Sequence, residues 1–274
     1  MTSLPEVKIF AFHYKPGDKN IGDNSYVHVW AGKNESNEVN QLVGDNTGDN
    51  ISWKNKYFSE LTGIYWAWKN NSADIWGTCH YRRFFTTYSE PFNYRIKRLC
   101  YYFIGIGRKR HGLIYTYNFE YWKSKVIDQE EVAKLFQDYD AVMPVMRRLK
   151  YTVEEHYKRY HNAEDLQILR EILSIHSPEY LESFERMLHQ DRLYANNMFI
   201  LRNQTFNELN QWLFKILFEF ESKVSLSDYK GYQERIFGFL SERLITSWFM
   251  HHSFKVKELN LIYFKKLKKM SMNN

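Results

Sequence analysis

Cysteine is scarce: the 274 residues hold only Cys79 and Cys100. Two excludes a disulfide framework, and neither sits at metal-ligand spacing, which suits a reducing cytoplasm. Long apolar runs are also missing. The best, Leu99 to Ile106, falls far short of the about 20 residues that a spanning helix needs, so a soluble or peripheral protein is expected. The opening Met1-Thr2-Ser3-Leu4-Pro5-Glu6 has neither a basic n-region nor an apolar h-region, and no secretion signal is expected from it. There is no Gly-x-Ser-x-Gly, no Walker-type Gly-Lys-Ser/Thr, no Gly-x-Gly-x-x-Gly and no His-Glu-x-x-His. Gly105-Ile106-Gly107 is a fragment without the rest of a dinucleotide loop. No internal repeat and no low-complexity linker interrupts the chain.

What is present in excess is aromatic. Phe, Tyr and Trp make up 18% of the residues, against 26% charged and 44% hydrophobic, an ordinary globular balance. Most of these rings serve a core. Tyr and Trp faces also stack on sugars and bases, which adds weight to carbohydrate or nucleotide ligands. The net charge of +6 and pI near 9.0 suit nucleic acid, anionic lipid or phosphorylated substrates.

Apolar periodicity predicts strands at Val7–Tyr14, Tyr26–Trp30, Ile75–Cys79, Tyr139–Val145 and Ala195–Leu201. Helices are expected at Tyr57–Asn70, Thr152–His161, Ala163–Ile175, Tyr180–Gln190, Thr205–Lys223 and Arg235–His251. Strands alternating with helices argue for an α/β sheet covered on both faces. Two segments stand apart. Tyr94 to Tyr117 and the tail from Lys255 to Lys269 interleave basic with apolar and aromatic residues, as an interfacial segment against anionic lipid would. The plainer reading is a solubilising loop and a frayed basic terminus.

The stretch Gly44 to Phe85 carries the densest chemistry. A Gly-Asp-Asn turn, Gly44 to Asn50, leads into an aromatic helix, and a short strand ends in His80-Tyr81-Arg82-Arg83. Ligands collect at the carboxyl ends of strands in open α/β sheets. Two arginines and a histidine there fit an anion, most simply a diphosphate. Alternation sends His80 and Arg82 to one face and Tyr81 and Arg83 to the other, so one pair meets the ligand unless the strand has already ended.

The run W-G-T-C-H-Y-R-R-F-F (76–85), preceded by S-E-L-T-G-I-Y-W-A-W-K-N (59–70), resembles the bacterial glycosyltransferase family of capsule and O-antigen gene clusters. That family's domain was long catalogued as one of unknown function, and some members are similar to galactofuranosyltransferases. The likeness extends to K-I-F-A-F-H-Y-K-P (8–16), V-G-D-N-T-G-D-N-I-S-W-K-N (43–55), N-N-M-F-I-L (196–201) and Y-Q-E-R-I-F-G-F-L-S-E-R-L (232–244), which together span most of the chain. Bulky Trp76 before Gly77 and the insertion after Pro91 depart from the pattern.

The resemblance implies a GT-A-like, Rossmann-like domain over 1–254 with a mixed, mostly parallel central sheet. The segment 94–117 would be a basic-aromatic insertion, and 255–274 a basic amphipathic C-terminal helix. It implies a hexosyltransferase that moves a sugar, galactofuranose by analogy, from a UDP-sugar to a lipid-linked oligosaccharide in capsule or O-antigen synthesis. The protein would then be cytoplasmic, peripheral on the anionic inner face of the plasma membrane, and without a nucleic-acid partner. In GT-A enzymes a Ser-acid pair opens the helix that meets the sugar, which Ser59-Glu60 matches, and the next strand ends in a metal-holding Asp-x-Asp, which is missing here. Arg82 and Arg83 would do that work by charge-assisted bonds to phosphate, favouring a metal-independent reaction. Asp45, Asp49 and Asp74 leave Mn2+ or Mg2+ coordination open.

By the same likeness His13 and Lys15 would lie near the uracil or a phosphate. Asp45, Asp49, Asn50, Ser59, Glu60, His80, Asn196 and Asn197 would bind the donor. Inverting transfer needs a carboxylate base. Glu242 is the first candidate, ahead of Glu234 and Asp191. Tyr151, Thr152, His156, Tyr157 and His161 form a polar-aromatic face for an acceptor, although ordinary amphipathic packing is the favoured account. The rival reading is a non-catalytic nucleic-acid-binding protein with basic and aromatic surfaces. Acidic Asp45, Asp49, Glu60 and Asp74 argue against that by repelling a phosphate backbone.

Overall fold

The computed structural model describes residues 4–15, 21–36, 42–103 and 112–265. In chain order the first strands are β1 (Val7–His13), β2 (Tyr26–Trp30) and β3 (Val43–Gly44), followed by helices α1 (Asn55–Phe58) and α2 (Leu61–Asn70). Then come β4 (Ile75–His80), β5 (Arg83–Thr86), α3 (Phe92–Phe103), β6 (Leu113–Thr116), α4 (Phe119–Lys123), α5 (Gln129–Asp138), β7 (Ala141–Pro144) and β8 (Arg147–Arg148). The last part holds α6 (Val153–Tyr160), α7 (Glu164–His176), α8 (Leu181–His189), β9 (Arg192–Leu193), β10 (Phe199–Arg202), α9 (Asn203–Lys223), α10 (Ile236–His251) and β11 (Val256–Phe264).

β1 is apolar on both faces, so it must lie between layers. Phe10 and Phe12 join one buried cluster with the α2, α9 and α10 side chains, whereas Val7, Ile9 and Ala11 join a second with Trp122 and Phe136 of α4 and α5. β3, β2, β1 and β4 run parallel. Beyond β4 the directions mix, because β10 is antiparallel to β4 and β7 while β11 is parallel to β6 and β7 and antiparallel to β5. The sheet is therefore mixed, with an all-parallel run from β3 to β4 and both directions beyond it. β4 pairs β10 through Ile75–Thr78 and then, at His80, exchanges it for β5. His80 thus stands at a fork in the sheet.

Trp76 has a clear packing role. Its ring stacks 4.5 Å from Phe206 of α9 and 5.6 Å from Phe10, and its Nε1 donates to Asn203 Oδ1 at 2.9 Å. The indole joins sheet to helix and satisfies its own polar edge.

Three departures from the sequence periodicity matter. The helix expected over 57–70 is broken at Ser59, whose φ is +52°. Asn55 Nδ2 and the Thr62 hydroxyl both donate to Ser59 O, so local side-chain bonds take the carbonyl that a continuous helix would use. The tail from Lys255 is not a helix through its described part. Leu259, Leu261, Ile262 and Phe264 are buried, and β11 lies inside the sheet between β5 and β6. Its lysines read as an amphipathic tail, but the apolar residues between them serve a strand. Lys266, Lys268 and Lys269 lie outside the described residues, as does 104–111 of the basic-aromatic insertion. The rest of that insertion forms α3 and the sheet strand β6.

Removing the nearer ring that flanks Trp76 tests this packing. Phe206→Ala should cost about 3–5 kcal/mol of unfolding free energy in a urea titration. A loss below about 1 kcal/mol would mean the stack does not bear on the core.

Candidate active site

A cleft of about 760 Å³ opens at the carboxyl end of β4, walled by α6, α10, the β8–β9 ribbon and the loop before α10. Its lining is strongly basic. Among the described residues that line it, Arg83, Arg147, Arg148, Lys150, Arg235 and Arg243 stand against two carboxylates, Glu60 and Glu242. His80, His156, His161, Tyr151, Tyr160, Tyr232 and Phe239 add polar rings and aromatic faces.

His80 and Arg83 both line it, and Arg82 does not. The strand has ended by His80, and the chain turns through Tyr81-Arg82 so that Arg83 sits directly opposite His80 in an antiparallel pair. Directly opposed residues share a face, which overrides the alternation expected along a continuing strand. Arg82 instead lies 4.7 Å over the Tyr81 ring and 5.8 Å over that of Tyr263. Arg83 keeps a buried Nε with no partner.

Asn196 and Asn197 hold the cleft together. Both are left-handed, with φ +80° and +50°, which replaces the first residues of the expected strand over 195–201. The Asn196 carbonyl accepts from His80 Nε2 at 2.7 Å, which fixes that nitrogen as the protonated one. Its backbone N–H donates to Glu242 Oε1, also at 2.7 Å. The Asn197 amide donates to Glu60 Oε1 at 2.9 Å and to Gly238 O, and accepts from the Ser241 hydroxyl. The Thr78 hydroxyl donates to the Asn197 carbonyl. Two consecutive residues therefore join β4, α10 and the helix start at Glu60.

The electrostatics separate the two carboxyls. Burial pushes Glu60 up, but His80, Arg235 and the Asn197 amide outweigh it, and its carboxyl titrates below the ordinary range. Burial also holds His80 down to about 4 against the pull of Glu60, so the imidazole is neutral at pH 7. The charge on Glu60 is then held by Arg235, 3.4 Å away, and by Asn197. Glu242 is raised by burial, with Arg243 and the Asn196 N–H only partly opposing. One carboxyl is a fixed anion and the other sits nearer to protonation, as an acid-base group requires.

Several expected residues lie elsewhere. Asp45 is buried and takes the Gly32 and Lys33 N–H groups and the Ser52 hydroxyl, which fixes the turn between β3 and α1. Asp49 accepts from the Tyr65 hydroxyl, Asn50 closes its own turn, and Asp74 accepts from Glu6 N. His13, the last residue of β1, bonds His28 at 2.8 Å, and Lys15, just past the strand, lies over Tyr14; both are outside the cleft lining. Ser59 touches the site through Arg235, whose Nε donates to its hydroxyl. Glu234 pairs with Lys56 and Asp191 with Arg148, leaving Glu242 as the candidate base on the wall. Of the α6 face, Tyr151, His156 and His161 line the cleft, Thr152 caps the helix, and Tyr157 is buried against Asp165. Among the described residues no group of three or more His, Cys, Asp or Glu could hold a metal ion, and no helix is long and apolar enough to cross a membrane.

The sequence profile of a domain family of unknown function, DUF4422, matches residues 8–253. The chain belongs to that family. No curated protein sequence matches this DUF4422 chain. Its fold is similar to the apo structure of the bifunctional glycosyltransferase WbbM, with a TM-score of 0.81 and 28% identity over 95% of the chain. It spans 46% of that longer protein. The mixed α/β architecture is thus that of a glycosyltransferase structure.

Arg147, Arg148, Lys150, Arg235, Arg243, Tyr232 and Phe239 were not singled out by sequence reasoning. The signal for the first three was present: Arg-Arg-Leu-Lys begins three residues after Pro144, where the strand ends.

Two outcomes follow from this geometry. Asn196→Gly should leave stability nearly unchanged, because glycine adopts the left-handed backbone freely. Asn196→Val should cost about 1–2 kcal/mol in urea unfolding, and equal stability of the two would contradict the constraint. The second concerns pH. His13 is held down to about 3 and His80, His156 and His161 to about 4, chiefly by burial. Unfolded imidazoles titrate near about 6.5, so between that value and 4 the unfolded chain binds protons the fold refuses. Stability should be complete above that window and fall as pH drops through it. Urea titrations from about pH 7.5 to about pH 5 read this directly, and a flat profile would contradict it.

Proposed function

We propose that this protein is a glycosyltransferase that moves a sugar from a UDP-sugar to a glycan acceptor in the basic cleft. The observation that carries the reading is the convergence of Glu242 with Arg83, Arg235 and Glu60 around the Asn196–Asn197 turn. In one displacement, the acceptor oxygen forms a bond to the anomeric carbon as the bond from that carbon to the diphosphate oxygen breaks. The acceptor's proton passes to the Glu242 carboxylate, which its bond from Asn196 N–H holds in place. The electron pair leaves on UDP, and Arg83 and Arg235 meet the growing negative charge. Glu60 is placed to accept hydrogen bonds from donor sugar hydroxyls, with Tyr232 and Phe239 as stacking faces.

The similarity to WbbM, itself a glycosyltransferase, supports this reading. The motif resemblance extends it to galactofuranose and to a lipid-linked oligosaccharide of capsule or O-antigen synthesis at the inner membrane face. Guanidiniums rather than a captured metal would neutralise the leaving group, because Asp45, Asp49 and Asp74 are each committed to local structural bonds. The paired acids on the cleft wall count against a polynucleotide ligand.

A thermal-shift panel tests the donor half. UDP should stabilise the protein, and EDTA should leave that shift intact. Stabilisation that needs Mn2+ would contradict the role given to the arginines. In a turnover assay Glu242→Gln should lower kcat by about 10²–10⁴-fold. Arg83→Ala should cost more activity than Arg82→Ala, whose side chain faces the tyrosines. Equal, small losses in all three variants would refute the assignment.

A further inference from the structure

The cleft has a second cationic end that the donor reaction leaves unused. Arg243, on α10, is only 3% exposed yet lines the cavity. Its Nη1 donates to Phe239 O at 2.7 Å, and its nearest carboxylate oxygen, Glu242 Oε2, is 3.6 Å away, beyond a hydrogen bond. Its Nε is buried with no partner at all. A buried guanidinium needs close, hydrogen-bonded compensation for its charge, and beside the Phe239 carbonyl Arg243 has, among the described residues, only the Tyr157 ring at 4.8 Å and one loose carboxylate. Beside it, His156 of α6 also has a buried, unpartnered ring nitrogen, Nδ1. The groups that act on His156 are Arg243, Arg147 and His161, all of them basic. Unpartnered polar atoms and like charges have been gathered on a concave wall whose nearest acid, Glu242, meets Arg243 only at 3.6 Å.

Glu242 lies between the two ends. Its Oε2 is 3.6 Å from Arg243 Nη1, and the charges of Arg147 and Glu60 also act on its carboxylate. A group seated against Arg243 and His156 would therefore hold a hydroxyl near Glu242. We infer that the acceptor is anionic, with an oxyanion, either a phosphate or a uronic-acid carboxylate, bound by Arg243, His156 and Arg147. The oxyanion accepts from Arg243 Nε–H and from the His156 imidazole, and exposed Arg147 closes over it. The acceptor is thereby oriented by its charge, and its neutral hydroxyl is delivered to the base. This rests on the reading of the cleft as a glycosyl-transfer site.

Ligand-observed NMR on the full chain, saturated with UDP, tests it with three probes: glucose 1-phosphate, glucuronate and methyl glucoside. At least one charged probe should bind, and methyl glucoside should not. Stronger binding of glucose 1-phosphate identifies phosphate as the group, and stronger binding of glucuronate identifies carboxylate. The double variant Arg147→Ala/His156→Ala should weaken the charged probe by about tenfold or more, with UDP affinity and melting temperature unchanged. Failure of both charged probes, equal binding of methyl glucoside, or full binding by the double variant would overturn the inference. If UDP itself does not bind, the proposed function falls. The charged-probe comparison, repeated without UDP, still reads the second site by itself.

Discussion

Two left-handed asparagines carry the organisation of this cleft. Asn196 and Asn197 sit where the chain enters β10, and their backbone and side-chain groups reach His80, Glu60, Glu242, Ser241 and Thr78. Each bond is worth only about 0.5–1.5 kcal/mol net. Their joint effect is geometric, because they tie the end of a central strand, a buried helix and a helix start to one pair of residues. Asparagine is among the few side chains that tolerate positive φ, and only its amide can donate to Glu60 and accept from Ser241 at once.

Around that turn the chain separates its charges. Glu60 is kept ionised by Arg235 and Asn197, His80 is kept neutral by burial, and Glu242 is lifted toward protonation. The cations outnumber these acids and are spread along the cleft, so a negatively charged ligand enters a field that is favourable along its length. The fork of the sheet at His80 makes room for this. There β4 exchanges β10 for β5, and the tight turn that follows swings Arg83 beside His80 instead of Arg82.

The regular framework was largely readable in the sequence. The apolar run of β1, the amphipathic span of α9 and the buried face of α10 come from local periodicity, and their expected bounds lie within two residues of the observed ones. What escaped was set by tertiary pairing or by local side-chain bonds. Lysines around Leu261, Ile262 and Phe264 look like a membrane-facing tail until β5 and β6 are known to flank them. The helix break at Ser59 depends on two side-chain bonds to one carbonyl. Asp45 has the composition of a ligand-binding turn residue but spends its oxygens on its own loop. Glu60, His80, Arg83, Asn196 and Glu242 were nameable as separate motif residues, and the structure brings them to one cleft. Arg243, next to the named Glu242, was passed over because burial of an arginine is not visible in a sequence.

The central claim is that guanidiniums on this cleft receive the charge of a departing nucleotide. Diffraction from a crystal soaked with UDP tests it most directly. The account predicts the diphosphate within hydrogen-bond distance of Arg83 and Arg235, with Glu242 facing the open side of the terminal phosphate. A diphosphate bound away from both arginines, or held through a metal ion on Asp45 or Asp49, would contradict it.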